Sequence, residues 1–580
     1  MLEDAAARSL FDHARRDLRA RFDASVGLVR TEVRPDLHTP RDSLWHALGL
    51  LYEGDAATAE GIIAVVLAMQ ERRQDDPHYG NFRWWHEDRV VIDLNAVEFM
   101  LEGLTHILLR FGDRLSEDTK RAAFETMRLG FGEIDRLDVH WTYTNIYLLD
   151  VHNSILGGGI TGEPAVVERG ARRLREWADR TRADGVPNEF NSATYSAVQI
   201  NALAAVAQFA ADASVRDLAR EMEQFLWRDV AAHFHPRTRQ LAGPHSRAYR
   251  RDVVGAPDFL KVLLYRVLGD HSLLDETPYY YGSGREGDTL VALTEYHCPP
   301  DAIETMRTEA TRELRQTAPR ETALVTYMTP EFALGTMSRP YGVGATPEPW
   351  PAHNACILYY AKPEPPGYGL LYTRYLVNDR RVGGATYESS GESVDLWEEG
   401  AFRAAQSGPH AIVAYGLLSR GQKPVHSLRL DVRLLGPGPK TEILAGGRRF
   451  DGERTEAQAG EPIVIADGDV YIGIIPLEPT RLGHEPPVAV WREGQETVVS
   501  VFNYRGPAKQ FWEYRTLSGP FFNGNVRNGI ALHVAARSAH VDIDAFAQAL
   551  RAIPLADDQR GSARSLRFGA ATLDYDLRDL

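Results

Sequence analysis

The sequence predicts a multidomain α+β protein in which an α/α toroid, an incomplete barrel of antiparallel helix pairs, is followed by an antiparallel β-sandwich. Apolar residues recur at helical spacing through the first half of the chain, most clearly at Leu94, Val97, Leu101, Leu104 and Leu108. After about residue 320, short β-branched and aromatic runs alternate with Gly, Pro and Asn/Asp turns. With 580 residues, the chain is long enough for more than one structural unit.

The first half divides into many helices of similar length. Amphipathic stripes fall near residues 11–22, 44–51, 62–69 and 94–108, and further helices are expected near 115–130, 145–157, 163–182, 192–211, 214–233 and 253–268. Polar loops separate them. Antiparallel helix pairs stacked around an axis would collect these loops at two ends, and one end can then form a cleft. A solenoid is the alternative, but it would show a clearer sequence repeat.

We expect the toroid domain to span residues 1–278, a linker to span 279–319, and the β-sandwich to span 320–580. The linker should contain one charged helix at 302–316. Predicted strands are 323–328, 356–360, 370–376, 411–417, 463–465, 470–475, 488–491 and 497–502, and one late helix is predicted at 541–552.

Composition limits the possible functions. The formal net charge of −15 argues against a general nucleic-acid binder, and mildly against a polyanionic substrate unless cations cluster locally. The only cysteines, Cys298 and Cys356, exclude a disulfide framework and Cys-rich zinc sites. No apolar run is long enough to span a membrane, and residues 1–22 lack the apolar core of a secretory signal. We expect a cytoplasmic protein, or a periplasmic or secreted one if a leader has been trimmed, and a homo-oligomer is compatible with these features.

Residues 184–195 form a polar turn that an apolar helix follows at once. Ser192 can cap this helix, because its hydroxyl can accept an amide of the first turn. The turn holds more hydrogen-bonding groups than a connector needs, and four of them are candidate functional groups: Asn188, Glu189, Asn191 and Tyr195. A capped loop between two core helices is the structural alternative.

A second polar stretch runs from residue 140 to residue 153. Asn145 and His152 are seven residues apart, which on a helix returns to nearly the same face, about 20° off. Both can therefore point at one cleft beside Trp141, with Asn153 next to them. A core histidine bonded to a backbone carbonyl is the alternative for His152.

A third stretch, residues 243–252, places His245, Arg247, Tyr249, Arg250 and a further arginine in one loop of an acidic chain. The planar fork of arginine fits a carboxylate. We expect nearby arginines to lower the pKa of a tyrosine by stabilising its phenolate. A solvated basic loop is the alternative.

A fourth stretch, residues 81–88, contains Trp84, Trp85 and His86, which suit stacking against sugar rings or packing in a buried loop. In the β half, residues 340–342, 350–354 and 523–528 are expected to reach over the cleft. The chain contains no His-Glu-x-x-His, no EF-hand loop, no Gly-x-Ser-x-Gly and no dinucleotide fingerprint, so we expect neither a metal nor an organic cofactor.

The predicted domain order and two local stretches resemble the polysaccharide lyases of the heparinase II/III-like, alginate and hyaluronate types. Residues 150–158, Asp-Val-His-Asn-Ser-Ile-Leu-Gly-Gly, resemble the Asn-Asn-His segment whose histidine helps to neutralise the substrate carboxylate. Asp184-Gly185 with Glu189 and Tyr195 resembles the Asp-Gly, Glu, Tyr pattern of family loops. The chain departs from the pattern at Asp150, and its amide follows the histidine.

The resemblance implies β-elimination at a uronic acid, without a cofactor. Hydrogen bonds would neutralise the carboxylate next to C5, a base would take the C5 proton, and an acid would protonate the leaving O4. Asn145, Asn153, His152 and Arg247 are candidates for neutralisation, and His245 for the base of the opposite C5 epimer. Tyr195 and Tyr249 are candidates for base and acid, with electrostatics favouring Tyr249 and resemblance favouring Tyr195. The substrate-binding candidates are Asn153, Asn188, Glu189, Asn191, Arg247, Arg250, Trp84, Trp85, His86 and Trp141.

Two other functions are open. An inverting glycoside hydrolase would need two carboxylates about 6.5–9.5 Å apart, with Glu87, Asp88 and Glu189 as candidates. A non-catalytic carbohydrate-binding protein would use Trp84, Trp85 and Trp141 as platforms. A lyase forms an unsaturated, ultraviolet-absorbing product, a hydrolase releases reducing ends without this chromophore, and a binder does neither. All three functional hypotheses require the polar loops to meet at one mouth of the helical ring.

Overall fold

The computed structural model describes residues 2, 4–32, 34–280, 285, 287–344, 348–349, 353–379, 400–417, 424–438, 440–483, 485–510 and 526–579. Its helices are α1 Ala5–Arg21, α2 Pro40–Glu53, α3 Ala56–Leu67, α4 Ala96–Phe111, α5 Glu117–Leu137, α6 Thr144–His152, α7 Gly158–Thr161, α8 Pro164–Asp184, α9 Tyr195–Phe209, α10 Ala213–His233, α11 Arg250–Val253, α12 Phe259–Leu268, α13 Asp288–Leu293, α14 Pro300–Arg307 and α15 Ile543–Ala552.

The first fourteen helices form an α/α toroid of the predicted kind, which includes α13 and α14 and so extends beyond the predicted boundary at residue 278. Helices α2, α4, α6, α9 and α12 pack in this order as an inner layer, and the short helix α13 contacts both α12 and α2. Helices α1, α3, α5, α8, α10 and α14 pack outside them. Burial follows this layering, because every residue of α9 from 196 to 207 is buried, whereas α8 buries one face at helical spacing, including Leu174, Trp177 and Ala178.

Twenty-six strands are described: β1 Phe22–Asp23, β2 Leu28–Arg30, β3 His38–Thr39, β4 Phe234–His235, β5 Gln240–Leu241, β6 Arg312–Ala318, β7 Thr322–Met328, β8 Phe332–Met337, β9 Gly342–Val343, β10 Glu348–Pro349, β11 Cys356–Ala361, β12 Tyr368–Val377, β13 Gly400–Ser407, β14 His410–Leu417, β15 Val425–Leu435, β16 Glu442–Ala445, β17 Arg448–Arg449, β18 Arg454–Ala457, β19 Ile463–Asp467, β20 Val470–Pro476, β21 Val488–Glu493, β22 Glu496–Lys509, β23 Asn528–Ala536, β24 Leu555–Arg560, β25 Ala563–Phe568 and β26 Ala571–Asp576.

Two large antiparallel sheets form the predicted β-sandwich. One has nine strands in the order β18-β21-β22-β15-β12-β11-β8-β7-β6, and the other has seven in the order β13-β14-β23-β20-β19-β16-β17. Apolar side chains from both sheets share one core, for example Leu358 and Leu430 with Val413 and Ile472. A three-stranded sheet, β24-β25-β26, and helix α15 cover the outer face of the seven-stranded sheet.

The predicted strands and the predicted late helix are confirmed, but the predicted charged helix at 302–316 is wrong in its second half. Helix α14 ends at Arg307, and residues 312–318 form β6, which pairs with β7 at the edge of the nine-stranded sheet. Side chains of β6 alternate between half-buried and exposed, which is the period of a strand. Its many charges suit an edge strand, so a charged composition alone was a poor guide to helix.

The nine-stranded sheet packs against one end of the toroid. The Tyr359 hydroxyl donates to the carbonyl of Val253 at 2.6 Å, and the Thr326 hydroxyl donates to the carbonyl of Gly243 at 2.6 Å. Gly335 lies so close to the Gly243 carbonyl that a Cβ atom there would overlap it. These contacts hold the 243–252 loop between the two units. No helix in the described part of the chain is long and apolar enough to cross a bilayer.

Candidate active site

Hydrogen bonds and ring contacts join the first turns of the inner helices at one mouth of the ring. The Arg41 guanidinium lies 4.5 Å from the ring centroid of Phe99, which joins α2 to α4. Asn95 Nδ2 donates to the Tyr143 hydroxyl at 3.1 Å, which joins the start of α4 to the start of α6. The 184–195 loop leads into α9 at the same mouth, where Asn145 meets Glu189.

Glu189 is the buried centre of this mouth. Its carboxylate accepts the Asn145 amide N–H at 2.7 Å, the Asn145 side-chain NH₂ at 2.8 and 2.9 Å, and Arg247 Nη1 at 2.7 Å. Glu189 is 0% exposed and Arg247 is 2% exposed, so the pair is a desolvated salt bridge. The predicted meeting of the 140–153, 184–195 and 243–252 stretches therefore occurs through these three side chains.

Two tyrosine hydroxyls lie next to this salt bridge. The Tyr195 and Tyr249 hydroxyls are 2.8 Å apart, and Arg247 Nη2 donates to Tyr195 at 2.9 Å and to Tyr249 at 3.4 Å. The Arg247 guanidinium also lies over the Tyr195 ring at 4.0 Å and over the Tyr143 ring at 5.2 Å. Tyr195 and Tyr249 are both half-buried. One arginine therefore acts on both phenols at once.

The expected lowering of a tyrosine pKa by arginine occurs at Tyr195, but it does not decide the net direction of the shift. Burial raises the pKa of Tyr195 well above its usual value, and the Arg247 charge opposes this shift without cancelling it. Sequence reasoning counted the arginines but not the desolvation. The Tyr195 phenol is therefore held in its protonated form near neutral pH.

Short side chains fix the 184–195 loop and the 243–252 loop to each other. As predicted, Ser192 accepts the first amide of α9, from Tyr195, at 3.0 Å, and it donates to the Arg247 carbonyl at 2.7 Å. One oxygen of Asp252 accepts both the Tyr249 amide, at 2.9 Å, and the Thr194 hydroxyl. These bonds set the distance between the tyrosine hydroxyls, since each loop supplies one of them.

The remaining amides of the 184–195 loop and His245 bind backbone carbonyls. Asn188 donates to the Thr142 carbonyl at 2.8 Å, and Asn191 donates to the carbonyls of Ala242 and Pro244 at 2.6 and 2.9 Å. His245 Nδ1 donates to the Asn191 carbonyl at 2.9 Å, and its ring is buried. In this structure these three predicted site residues shape the loops around the tyrosines.

The structure does not bring His152 to the tyrosine pair. His152 lies two turns beyond Asn145 on α6, about 10 Å along the helix axis. Its ring is 5.1 Å from that of His106 and its Nδ1 bonds Asn153, which in turn donates to the Glu98 carbonyl. Burial lowers the pKa of His152 to about 4, so the ring is neutral. Helical spacing relates two residues by face but does not give the depth at which each lies, and Asn153 lies beside His152.

The predicted aromatic residues occupy two other parts of the mouth. Trp84 packs edge-on against Trp85 and Phe99, with centroids at 6.2 and 5.5 Å, and the His86 amide donates to the His38 carbonyl. None of the described contacts joins them to the tyrosine pair. Trp141 is half-buried below the Arg180 guanidinium, and Arg250 begins α11 directly after Tyr249.

The carboxylates proposed for a hydrolase are engaged in the fold. Glu87 accepts the His38 amide at 2.9 Å and bonds its ring at 2.6 Å. Asp88 accepts the Trp85 amide at 2.8 Å. Glu189 is occupied by Asn145 and Arg247, as described above. Among the described residues, no group of three or more His, Cys, Asp or Glu side chains is arranged to hold a metal ion.

The β half contributes to the mouth in part as expected. Tyr341 packs against Phe190 at 6.0 Å between ring centroids, and its buried hydroxyl has no hydrogen-bond partner within the described residues. The Asn354 amide donates to the His245 carbonyl at 3.1 Å. Residues 350–352 and 523–525 lie outside the described residues. The expectation fails for Asn528, whose side chain bonds Val501 and Asn503 inside the sandwich.

Sequence reasoning included Tyr143 and Tyr341 in the stretches 140–153 and 340–342, but it did not assign either of them a role in the site. Tyr143 lies under Arg247 and accepts a hydrogen bond from Asn95. Burial raises the pKa of Tyr341 well above its usual value, and the Glu189 charge adds to this shift. Tyr143 belonged to a recognised polar stretch and could have been found there. Tyr341 comes from a different domain, and no local pattern links it to Glu189.

A pH-dependent stability follows from the buried His245. Burial lowers the pKa of His245 from 6.5 to about 4, so between these values the unfolded chain binds a proton that the folded protein does not. The stability gained from the neutral ring is present above pH 6.5 and is lost as the pH falls towards 4. We expect the difference in unfolding free energy between the wild-type protein and His245→Gln to shrink by up to about 3 kcal/mol from pH 7 to pH 4 in denaturant titrations. A difference that stays constant with pH would contradict this.

Comparisons with known proteins add the following. Residues 8–291 match a family model described as "Domain of unknown function (DUF8769)". No curated protein matches the chain. Among solved structures, a heparinase III gene product is similar at 10% identity and a TM-score of 0.37, covering 99% of this chain and 91% of that one. The heparan sulfate lyase HepC from Pedobacter heparinus is similar at 9% identity and a TM-score of 0.34, covering 99% and 89%. A chondroitin lyase, the baculovirus envelope protein ODV-E66, is similar at 8% identity and a TM-score of 0.21, covering 90% and 88%.

Proposed function

We propose that this protein is a polysaccharide or oligosaccharide lyase that cleaves a uronic-acid-containing glycan by β-elimination. The observation that supports this most strongly is the tyrosine pair, whose hydroxyls are 2.8 Å apart and share the Arg247 guanidinium. Elimination needs one group to remove a proton and another to supply one, with a positive charge beside the developing enolate. Tyr195, Tyr249 and Arg247 together offer these three functions.

Arg247 is the proposed carboxylate-neutralising group. Glu189 holds its Nη1 side, so the Nη2 side is directed at the tyrosine hydroxyls. A uronate whose C5 proton approaches the tyrosines brings its carboxylate next to this Nη2 side. Asn145 was a candidate for the same role, but its amide is bound to Glu189, so we assign it to positioning the salt bridge.

The two tyrosines divide the proton transfers. Before the reaction, the pair loses one proton to solvent water, and the remaining negative charge is shared between the two oxygens beside Arg247. Tyr249 then takes the C5 proton, the C4–O4 bond breaks, and a C4–C5 double bond forms. Tyr195, whose phenol is kept protonated by burial, donates its proton to the leaving O4. The proton on Tyr249 passes along the 2.8 Å hydrogen bond to Tyr195, which restores the pair.

A screen of uronate polymers tests this function. The protein is incubated with each polymer, and the absorbance of the unsaturated product and the new reducing ends are measured together. We expect at least one polymer to yield one chromophore for each new reducing end, and its carboxyl-reduced derivative to yield neither. Reducing ends without the chromophore would indicate the hydrolase, and binding without either product would indicate the carbohydrate-binding protein.

A further inference from the structure

A second group of polar and aromatic side chains lies at the seam between the toroid and the nine-stranded sheet. Trp141 is half-buried, the Arg180 guanidinium lies 5.0 Å from its ring centroid, and the His140 ring lies 5.5 Å from it on a tilted plane. Arg180 is exposed near the end of α8, so one face of this arrangement meets solvent. Stacked aromatic and guanidinium planes of this kind suit a sugar ring and its charged substituent.

Arg320 joins this group from the β half. Arg320 Nη2 donates to the Gly344 carbonyl at 3.2 Å, and the Gly344 amide donates to the Thr142 hydroxyl oxygen at 2.8 Å. The same Thr142 oxygen is 2.8 Å from His140 Nδ1. The backbone of Gly344 therefore links Arg320 to the 140–142 turn, although Arg320 and this turn are distant in the chain.

The turn that presents Trp141 is held rigidly. Arg173, which is 8% exposed, donates to the Asp138 carboxylate at 2.7 Å and to the Val139 carbonyl at 2.6 Å. The Asn188 side chain donates to the Thr142 carbonyl on the other side of Trp141. A binding surface on anchored side chains loses less conformational entropy when a ligand binds.

The charges at this seam favour an anion. Within the described residues, neither Arg180 nor Arg320 forms an ion pair with a carboxylate. The nearby acids are Asp138, which is paired with Arg173, the half-buried Asp184, which lies close enough to feel the Arg180 charge, and Glu321, the exposed neighbour of Arg320. Burial lowers the pKa of His140, and the charges of Arg180, Arg320 and Arg173 lower it further. Three arginines thus act on one surface of a chain whose net charge is −15.

The seam is continuous with the candidate active site. Trp141 precedes Tyr143 by two residues, a span of at most about 7 Å between Cα atoms. Tyr143 lies under Arg247, and Tyr341, next to Phe190 of the 184–195 loop, is close enough to Arg320 that an ionised Tyr341 would raise the Arg320 pKa. A glycan bound at the tyrosine pair and extending along this path would pass over Trp141.

We infer that Trp141, Arg180 and Arg320 form a second anion-binding subsite, which takes the carboxylate or sulfate of a second charged sugar in the substrate, distinct from the scissile uronate. Trp141 stacks on the sugar ring, and the two arginines bind the anionic group from the toroid side and the β side. This deepens the proposed lyase function and rests on it for the position of the scissile sugar. The preferred substrate is therefore an acidic glycan with a negative charge on more than one sugar.

Calorimetric binding of defined oligosaccharides to the full chain tests this subsite. The probes are unsulfated glucuronate–N-acetylglucosamine di- and tetrasaccharides, and a carboxyl-reduced tetrasaccharide. We expect Arg180→Ala and Arg320→Gln each to weaken tetrasaccharide binding about ten-fold, with disaccharide binding unchanged. The reduced tetrasaccharide should bind weakly and equally to all variants. The matched control is Arg175→Ala, an exposed arginine of the same helix whose charge acts on Asp212, and it should bind like the wild-type protein.

The outcomes separate this subsite from the lyase function. Unchanged tetrasaccharide affinity in both arginine variants, with normal turnover, would overturn the subsite and leave the lyase intact. Arginine-dependent tetrasaccharide binding, without unsaturated product from this tetrasaccharide or from any polymer of the screen, would support the subsite and overturn the lyase. Equal losses for di- and tetrasaccharide would overturn the subsite, because the arginines would then act at the scissile sugar or on the fold.

Discussion

Tyr249→Phe and Tyr195→Phe are each expected to lower kcat on a uronate substrate by about 10²–10⁴-fold, while KM changes little. Each variant removes one hydroxyl of the 2.8 Å pair and keeps the ring in place. Tyr249→Phe removes the proposed base and Tyr195→Phe the proposed acid. Initial rates at the wavelength of the unsaturated product, with circular dichroism to confirm folding, measure the effect.

The two variants should not behave additively. Both hydroxyls belong to one proton-transfer unit beside Arg247, so the double variant is expected to be no slower than the slower single variant. Tyr265→Phe is the control, because this tyrosine also belongs to the toroid, is more deeply buried than the pair, and its hydroxyl contacts His271 and not Arg247. It should keep full activity. Full activity in either pair variant would remove the tyrosines from the mechanism.

Glu189→Ala is expected to lower the unfolding free energy by about 3–5 kcal/mol. The substitution leaves the Arg247 guanidinium buried without its carboxylate, and it also removes the acceptor of the Asn145 amide groups. A desolvated charge without a partner is costly, whereas the intact pair contributes little net stability. Denaturant titration at neutral pH measures the change.

Two controls distinguish a buried ion pair from a general packing loss. The double variant Glu189→Ala/Arg247→Met should recover part of the lost stability, since no charge remains buried. Glu221→Ala removes a carboxylate from the exposed Arg182 pair and should change stability by less than about 1 kcal/mol. If Glu189→Ala is as mild as Glu221→Ala, the salt bridge is not desolvated as described.

Periodicity predicted the secondary structure because the two layers of the toroid and the sandwich each repeat a local pattern. Outer helices such as α8 follow an apolar spacing of 3.6 residues, whereas the inner helix α9 and strands such as β11 and β20 are apolar runs buried along most of their length. The exception at 302–316 shows the limit, since the strand β6 is charged and belongs to a sheet edge. Whether a charged segment pairs with a neighbouring strand depends on tertiary contacts.

Sequence reasoning predicted which loops meet, but not how their groups interact. Glu189, Arg247, Tyr195 and Tyr249 come together as expected. The raised pKa of Tyr195 depends on desolvation, which only the assembled structure determines. Long-range contacts were equally hidden, such as that of Gly344 with Thr142, whose positions differ by 202 in the chain.

Cleavage of a uronate oligosaccharide deuterated at C5, carried out in ¹⁸O-labelled water and read by mass spectrometry, tests the tyrosine-pair elimination most directly. We expect the uronate that becomes the new non-reducing end to lose its C5 deuterium and to gain the double bond. No labelled oxygen should enter either product. Retention of the deuterium together with one labelled oxygen in a product would contradict the mechanism and identify hydrolysis instead.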